Sequence, residues 1–204
     1  MEIWIYFTLL AATMQAVRTA GQKQLTDKLS RIANTGVRYI YALPFAWGYL
    51  LWMLHIKEQS LPELNGQFIQ YAMTASVMQL VGTACLVAAF SYRNFAVATS
   101  LAKTEAIQVA IIGALFFSAP LSSLGWLSVI IGVIGVMLLS KVTFSWQDLF
   151  NNPGAGFGLA SGLGLAITTL LIRESSLALQ TDLMVSAAVT LVFLVTAQAL
   201  MAVI

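Results

Sequence analysis

Charge is what this sequence has least of. Ten Lys or Arg and eight Asp or Glu make up 9% of 204 residues, whereas a soluble domain carries roughly 25%. Too few ionic groups are present to cover a globule in water, so a soluble fold is excluded. Cysteine and histidine are nearly absent. Cys85 is the only thiol, which excludes an internal disulfide framework and a cysteine metal site, and the single His55 adds no ligand cluster, so no metal and no cofactor is expected. The net charge of +2 makes no basic patch, which excludes nucleic acid as a partner. A Gly-x-x-x-x-Gly-Lys-Ser/Thr loop is missing, so ATP is not the energy source within this chain. No aspartate pair, Cys-His neighbours or metal motif suggests an enzyme. No ring of like charges or carbonyl filter suggests a channel.

Apolar residues dominate instead, at 59% of the chain. Crossing a bilayer takes about 20 mainly apolar residues in a helix. Charge-poor stretches of that size fall at 3–21, 36–55, 68–90, 95–117, 121–140, 154–172 and 183–204. The breaks between them hold what hydrocarbon excludes: 23–31, 57–66, a kink at 91–94, Ala119-Pro120, 141–153 and 173–182. The runs lack sustained alternation and are about twice the length of a tilted barrel strand, which favours helices. The expected class is an all-α membrane protein, a polytopic bundle of about seven transmembrane helices. The first run follows Met1-Glu2 with no basic flank and no small-residue cleavage site, so it is expected to be a retained span. Trp4, Trp52, Trp126 and Trp146 sit near span ends, as headgroup-seeking rings do. Trp47 lies deeper, where packing against a neighbour is the simpler expectation.

A weak internal repeat is present. A shift of 150 residues lays Ala16-Val17-Arg18-Thr19 on Ala166-Ile167-Thr168-Thr169 and Lys23 on Arg173. Spans six and seven therefore read as a second copy of spans one and two. The five spans that separate the copies are an odd number, which inverts the second copy in the membrane, an arrangement common in transporters. The expected organisation is a first five-helix repeat at 1–140, a connecting loop at 141–153, and the first two helices of an incomplete second repeat at 154–204.

Two stretches carry a resemblance. One is Lys23 with Asn34-Thr-Gly-Val-Arg38-Tyr-Ile-Tyr-Ala42-Leu-Pro44. The other runs from Ala88-Ala89-Phe90 through Ala96, Leu101, Lys103-Thr-Glu105 and 107–117 to Leu124-Gly125-Trp126 and Gly132-Val-Ile-Gly135-Val136. Together they are similar to an EamA-type domain of the drug/metabolite transporter superfamily, over residues 1–140. The resemblance implies ten helices in two inverted halves, a central cavity, and movement of small metabolites, amino acids and drugs among them, across a cell membrane such as a bacterial inner membrane. Ser118-Ala119 stands where the family commonly has Gly-Glu. Relative to that pattern the chain lacks three helices, so it reads as a fragment or as a form that pairs. The expected function is that of a secondary transporter moving a small metabolite, an amino acid, organic acid or drug-like solute, by alternating access; export or exchange is what the resemblance implies. A non-transporting scaffold or assembly partner that needs a second chain is the alternative.

Ionisable groups deep in a membrane are functional by default. Lys103 and Glu105 lie about 12 to 15 Å along span four. On a continuous helix they would be about 200° apart, so at most one faces a shared cavity. Lys103, with Thr99 and Ser100 beside it, is the expected substrate-binding cation, suited to a carboxylate. Glu105 is expected to pair with a basic group such as Arg18 or to carry a proton. Arg18 either snorkels to the interface or faces the solute. Gln15 and Gln79 are uncharged groups that bond a ligand or another helix. Gly154, Gly158 and Gly162 repeat every four residues, continued by Ala166, a face for close helix approach within the chain. A sparser small face at Gly125, Gly132 and Gly135 suits a homo-oligomer contact. Lys and Arg number seven on the side of the first loop and two opposite, which puts the N-terminus outside; the resemblance implies inside.

Overall fold

The computed structural model describes residues 3–26, 31–90, 101–117, 121–139 and 153–203. Seven helices are present among them: α1 (Ile3–Thr26), α2 (Arg31–Lys57), α3 (Gly66–Phe90), α4 (Glu105–Phe116), α5 (Ser123–Leu139), α6 (Pro153–Ala178) and α7 (Leu183–Val203). No strand occurs in the described residues. Among the described residues, four helices are long and apolar enough to cross a membrane: α2 over Tyr39–Lys57, α3 over Gly66–Ala89, α6, and α7 over Leu183–Ala202. Shorter apolar helices are α4, of 12 residues, and α5, of 17.

The fourth expected span is not continuous. The chain is helical at 101–102, turns at Lys103 and Thr104, and restarts at Glu105. Local chemistry accounts for the interruption. The Thr104 backbone N–H and its hydroxyl both donate to the Leu101 carbonyl, at 3.0 and 2.6 Å, and a threonine hydroxyl that takes a nearby carbonyl competes with the helical ladder. Twelve residues rise only about 18 Å, well short of the roughly 30 Å of hydrocarbon.

The core is built on α3 and α6, which share the most extensive contact among the described residues. Where they cross, backbone meets backbone. A Cβ on Gly164 would lie 3.0 Å from the Gly82 Cα, and one on Gly82 would lie 3.1 Å from the Leu165 nitrogen. Ala72, Ala75, Ser76 and Thr83 on α3, and Ser161, Thr168 and Ser175 on α6, are all buried small side chains that permit this approach. Within hydrocarbon such contact gains dispersion energy that lipid tails cannot supply as well. Gly154, Gly158 and Gly162 are also buried. A Cβ on Gly162 would sit 3.2 Å from the Ala102 carbonyl oxygen, so that end of the stripe receives the interruption before α4. A second cluster joins α2, α3 and α7 through Leu50, Phe68, Val185 and Val192. The Phe68 ring meets Phe193 edge-on, centroids 5.2 Å apart.

Two connections clasp one another at one end of the bundle. Asn65 accepts from the Phe68 N–H at 2.7 Å, starting α3, and its amide donates to the Ala178 carbonyl at 2.6 Å, finishing α6. Asp182 accepts from the N–H groups of Met184 and Val185 at 3.0 and 3.3 Å, capping α7, and pairs with Lys57 at 3.1 Å. Glu58 and Gln180, just past the ends of α2 and α6, both take left-handed φ of 50° and 48°, the usual way of ending a helix. The α6–α7 turn thus lies beside the α2–α3 loop, at the end where α2 and α6 both finish.

Two outcomes follow. Gly164→Leu should lower stability by about 1 to 3 kcal/mol through overpacking against Gly82, whereas Gly156→Ala, whose Cβ meets nothing within 4 Å, should hold or raise it by up to about 1 kcal/mol; thermal unfolding in detergent measures both. The hydrogen bond from Lys57 holds the Asp182 carboxyl below its ordinary value of 3.8. Its contribution is then complete at neutral pH and lost as pH falls through the lower folded-state value. Melting temperature against pH should show this acid-side loss, and Asp182→Asn should flatten it.

Candidate functional site

Two spaces flank α6. The larger, of about 760 Å³, is walled by α1, α2, α3, α6 and α7. Its lining is mostly aliphatic, with polar groups entering from several helices: Arg18 and Gly21 from α1, Tyr39 from α2, Gln79 from α3, Ser176 from α6, and Thr190 and Gln198 from α7. Gln198 is 1% exposed, and its amide donates to the Gln79 carbonyl oxygen at 2.7 Å. That bond crosses from α7 to α3. It leaves the Gln79 amide protons and the Gln198 carbonyl oxygen as further donors and acceptor. Ser176 donates to the Thr190 hydroxyl at 3.1 Å, tying α6 to α7 beside them.

The second space, a cleft of about 520 Å³, adjoins a neighbouring stretch of α6 and lies against α4 and α5. Lys103, Glu105, Thr169 and Arg173 line it, with Gly113, Leu121 and Val129 among its apolar walls. Because the helix turns at Lys103, the 200° separation of a continuous helix does not apply, and Lys103 and Glu105 open onto one cleft. The Thr169 hydroxyl reaches the Glu105 carboxylate at 3.5 Å, a long contact. Lys103 and Arg18 both lie within electrostatic range of Glu105. The turn itself is braced: the Gln108 amide donates to the Thr104 hydroxyl at 3.0 Å, while the Gln108 carbonyl oxygen is buried with no hydrogen-bond partner among the described residues.

The structure therefore distributes the residues singled out in the sequence. Gln79 and Arg18 share the larger cavity, whereas Lys103 and Glu105 share the cleft. Gln15 is exposed on α1, one turn before Arg18, and is not part of the cavity wall. Thr99 and Ser100 lie outside the described residues, as do 91–94 and the 141–152 connection with Trp146. Trp47 is 47% exposed and walls a third, apolar groove of about 390 Å³ with Phe193 and Leu200, so it borders a space where close packing was expected. Gln198, Ser176, Thr190 and Arg173 were not singled out. For Gln198 the signal was there, a lone amide in an apolar run, as for Gln79. Arg173 reads in the sequence as a loop charge; in the structure it stands five residues inside α6.

Fold and site together define a helical membrane protein with a solute-sized cavity between its helices. The model of the EamA-like transporter family matches residues 2–141, more than two thirds of the chain. The protein belongs to that family and is a membrane transporter of the drug/metabolite transporter type. No curated protein and no solved structure matches it.

Proposed function

We propose that the protein is a secondary transporter that moves a small metabolite, an amino acid, organic acid or drug-like solute, by alternating access. One observation carries this reading. The 760 Å³ cavity receives polar groups from α1 to α3 and also from α6 and α7, and its volume is within the roughly 300 to 1,000 Å³ of small-molecule sites. Gln79 and Gln198 hydrogen-bond the solute, and Arg18 faces any anionic group on it. Helix α1 has the sparsest packing of the walls, with Tyr6, Phe7, Leu10 and Met14 exposed, and is the natural moving part, whereas α3 and α6 are locked at Gly82 and Gly164. Movement of α1 also brings Gln15 toward the solute. That α2 and α6 finish at the same end supports an organisation of a five-helix repeat at 1–140 and the start of an inverted one at 154–204.

Purified protein in vesicles should take up at least one member of a radiolabelled panel of amino and organic acids. Gln198→Leu should reduce that flux about ten-fold, the loss of one buried polar contact, with unchanged insertion. Absence of flux across the panel in the unaltered protein would instead favour a scaffold that does not transport.

A further inference from the structure

We propose that the solute of the large cavity is recognised by an uncharged carboxamide-type edge, an N–H beside a C=O, held by Gln79 and Gln198; this rests on the transport reading and names its substrate class. The two glutamines meet deep in the bundle. Gln79 is 13 residues beyond Gly66, about 20 Å along an α3 of about 38 Å. Gln198 is 15 residues beyond Leu183, about 22 Å along an α7 of about 32 Å. Both line the cavity. At that depth a polar group is answered by a partner or left at a loss.

Each amide uses one of its ends on the other. The Gln198 amide donates to the Gln79 carbonyl oxygen at 2.7 Å, and no second bond between the two closes the ring. The Gln79 N–H groups and the Gln198 carbonyl oxygen have no hydrogen-bond partner among the described residues. Turning both amides over keeps the bond and leaves the same complement, N–H donors on one glutamine and a carbonyl on the other. The nearby hydroxyls do not offer this combination. Thr190 donates to the Ser186 carbonyl at 2.8 Å and accepts from Ser176 at 3.1 Å, so the Ser176 proton is committed and only its lone pairs remain.

The solute must answer a donor and an acceptor together. A carboxylate only accepts, so it leaves the glutamine carbonyl unanswered and sets its charge beside that oxygen; an ammonium only donates. A carboxamide carries acceptor and donor on separate atoms of one rigid plane and meets both. Sites built on buried polar groups reject analogues that leave one of them unpaired. Ile172, Leu194 and Val195 also wall the cavity and suit an apolar ring or chain attached to the amide. An anionic group elsewhere on the solute is left to Arg18 on α1.

Nicotinamide and 3-acetylpyridine test this, because they differ only by a methyl in place of the amide NH₂, which removes the donor and keeps the ring, the carbonyl and the shape. Both are titrated by calorimetry into the full chain in detergent, with protein-free micelles subtracted. Nicotinamide should bind saturably and about ten-fold more tightly than 3-acetylpyridine, the worth of one buried hydrogen bond. That comparison is made in the unaltered protein and needs no variant to fold. Gln198→Met keeps the side-chain length and removes both polar atoms, and should shrink the preference to about two-fold or less. A merely structural role for Gln198 would weaken both ligands alike and leave their ratio as it was. Equal affinities in the unaltered protein, no binding of nicotinamide, or a ratio that persists in Gln198→Met would overturn the proposal. Binding is read without flux, so a protein that shows the expected ratio but moves no member of the transport panel would overturn the transport reading alone, leaving the amide site as a binding site.

Discussion

The rest of the molecule depends on the backbone contact between Gly82 and Gly164. In hydrocarbon there is little hydrophobic gain from bringing helices together, so close dispersion contact and buried polar bonds must do it. A side chain at either glycine would hold α3 and α6 apart. With both positions bare, the helices cross near the middle of α6, Thr168 lies buried against α3, and Gln79 stands within reach of Gln198 on α7. The cavity floor exists because this crossing sets the distance between three helices.

The interruption before α4 is the second constraint. Unpaired backbone groups at membrane depth are tolerated only where protein or a water-filled space covers them. Here Gly162 provides room for the Ala102 carbonyl, and Thr104 and Gln108 bond within the turn. That turn changes the geometry of the ionisable pair. Lys103 and Glu105 would leave opposite faces of a regular helix, yet they meet one cleft, with Thr169 and Arg173 across from them.

The two spaces share α6 as a wall and differ in chemistry. The cavity offers amides and hydroxyls among aliphatic side chains, with one guanidinium on its least-packed helix. The cleft concentrates full charges. Arg18 connects the two, since it lines the cavity and also acts on Glu105.

Most of the helical architecture was legible from composition, because the membrane penalises every unpaired polar group and so forces long charge-poor runs separated by polar breaks. Sequence alone determined the all-helical class, six of the seven runs to within six residues at either end, the small-residue stripe on α6 and the short list of polar groups in apolar runs. It did not locate the Gly82–Gly164 crossing, since glycines are spread through the helices and nothing in their spacing says that these two meet. Nor did it show that Gln79 answers Gln198, 119 residues away, or that Lys103 and Gln79 belong to different spaces. Those facts were decided by tertiary structure, because partners on separate helices are chosen by which faces pack, and a single turn at Thr104 redirects side chains in a way that helical periodicity cannot express.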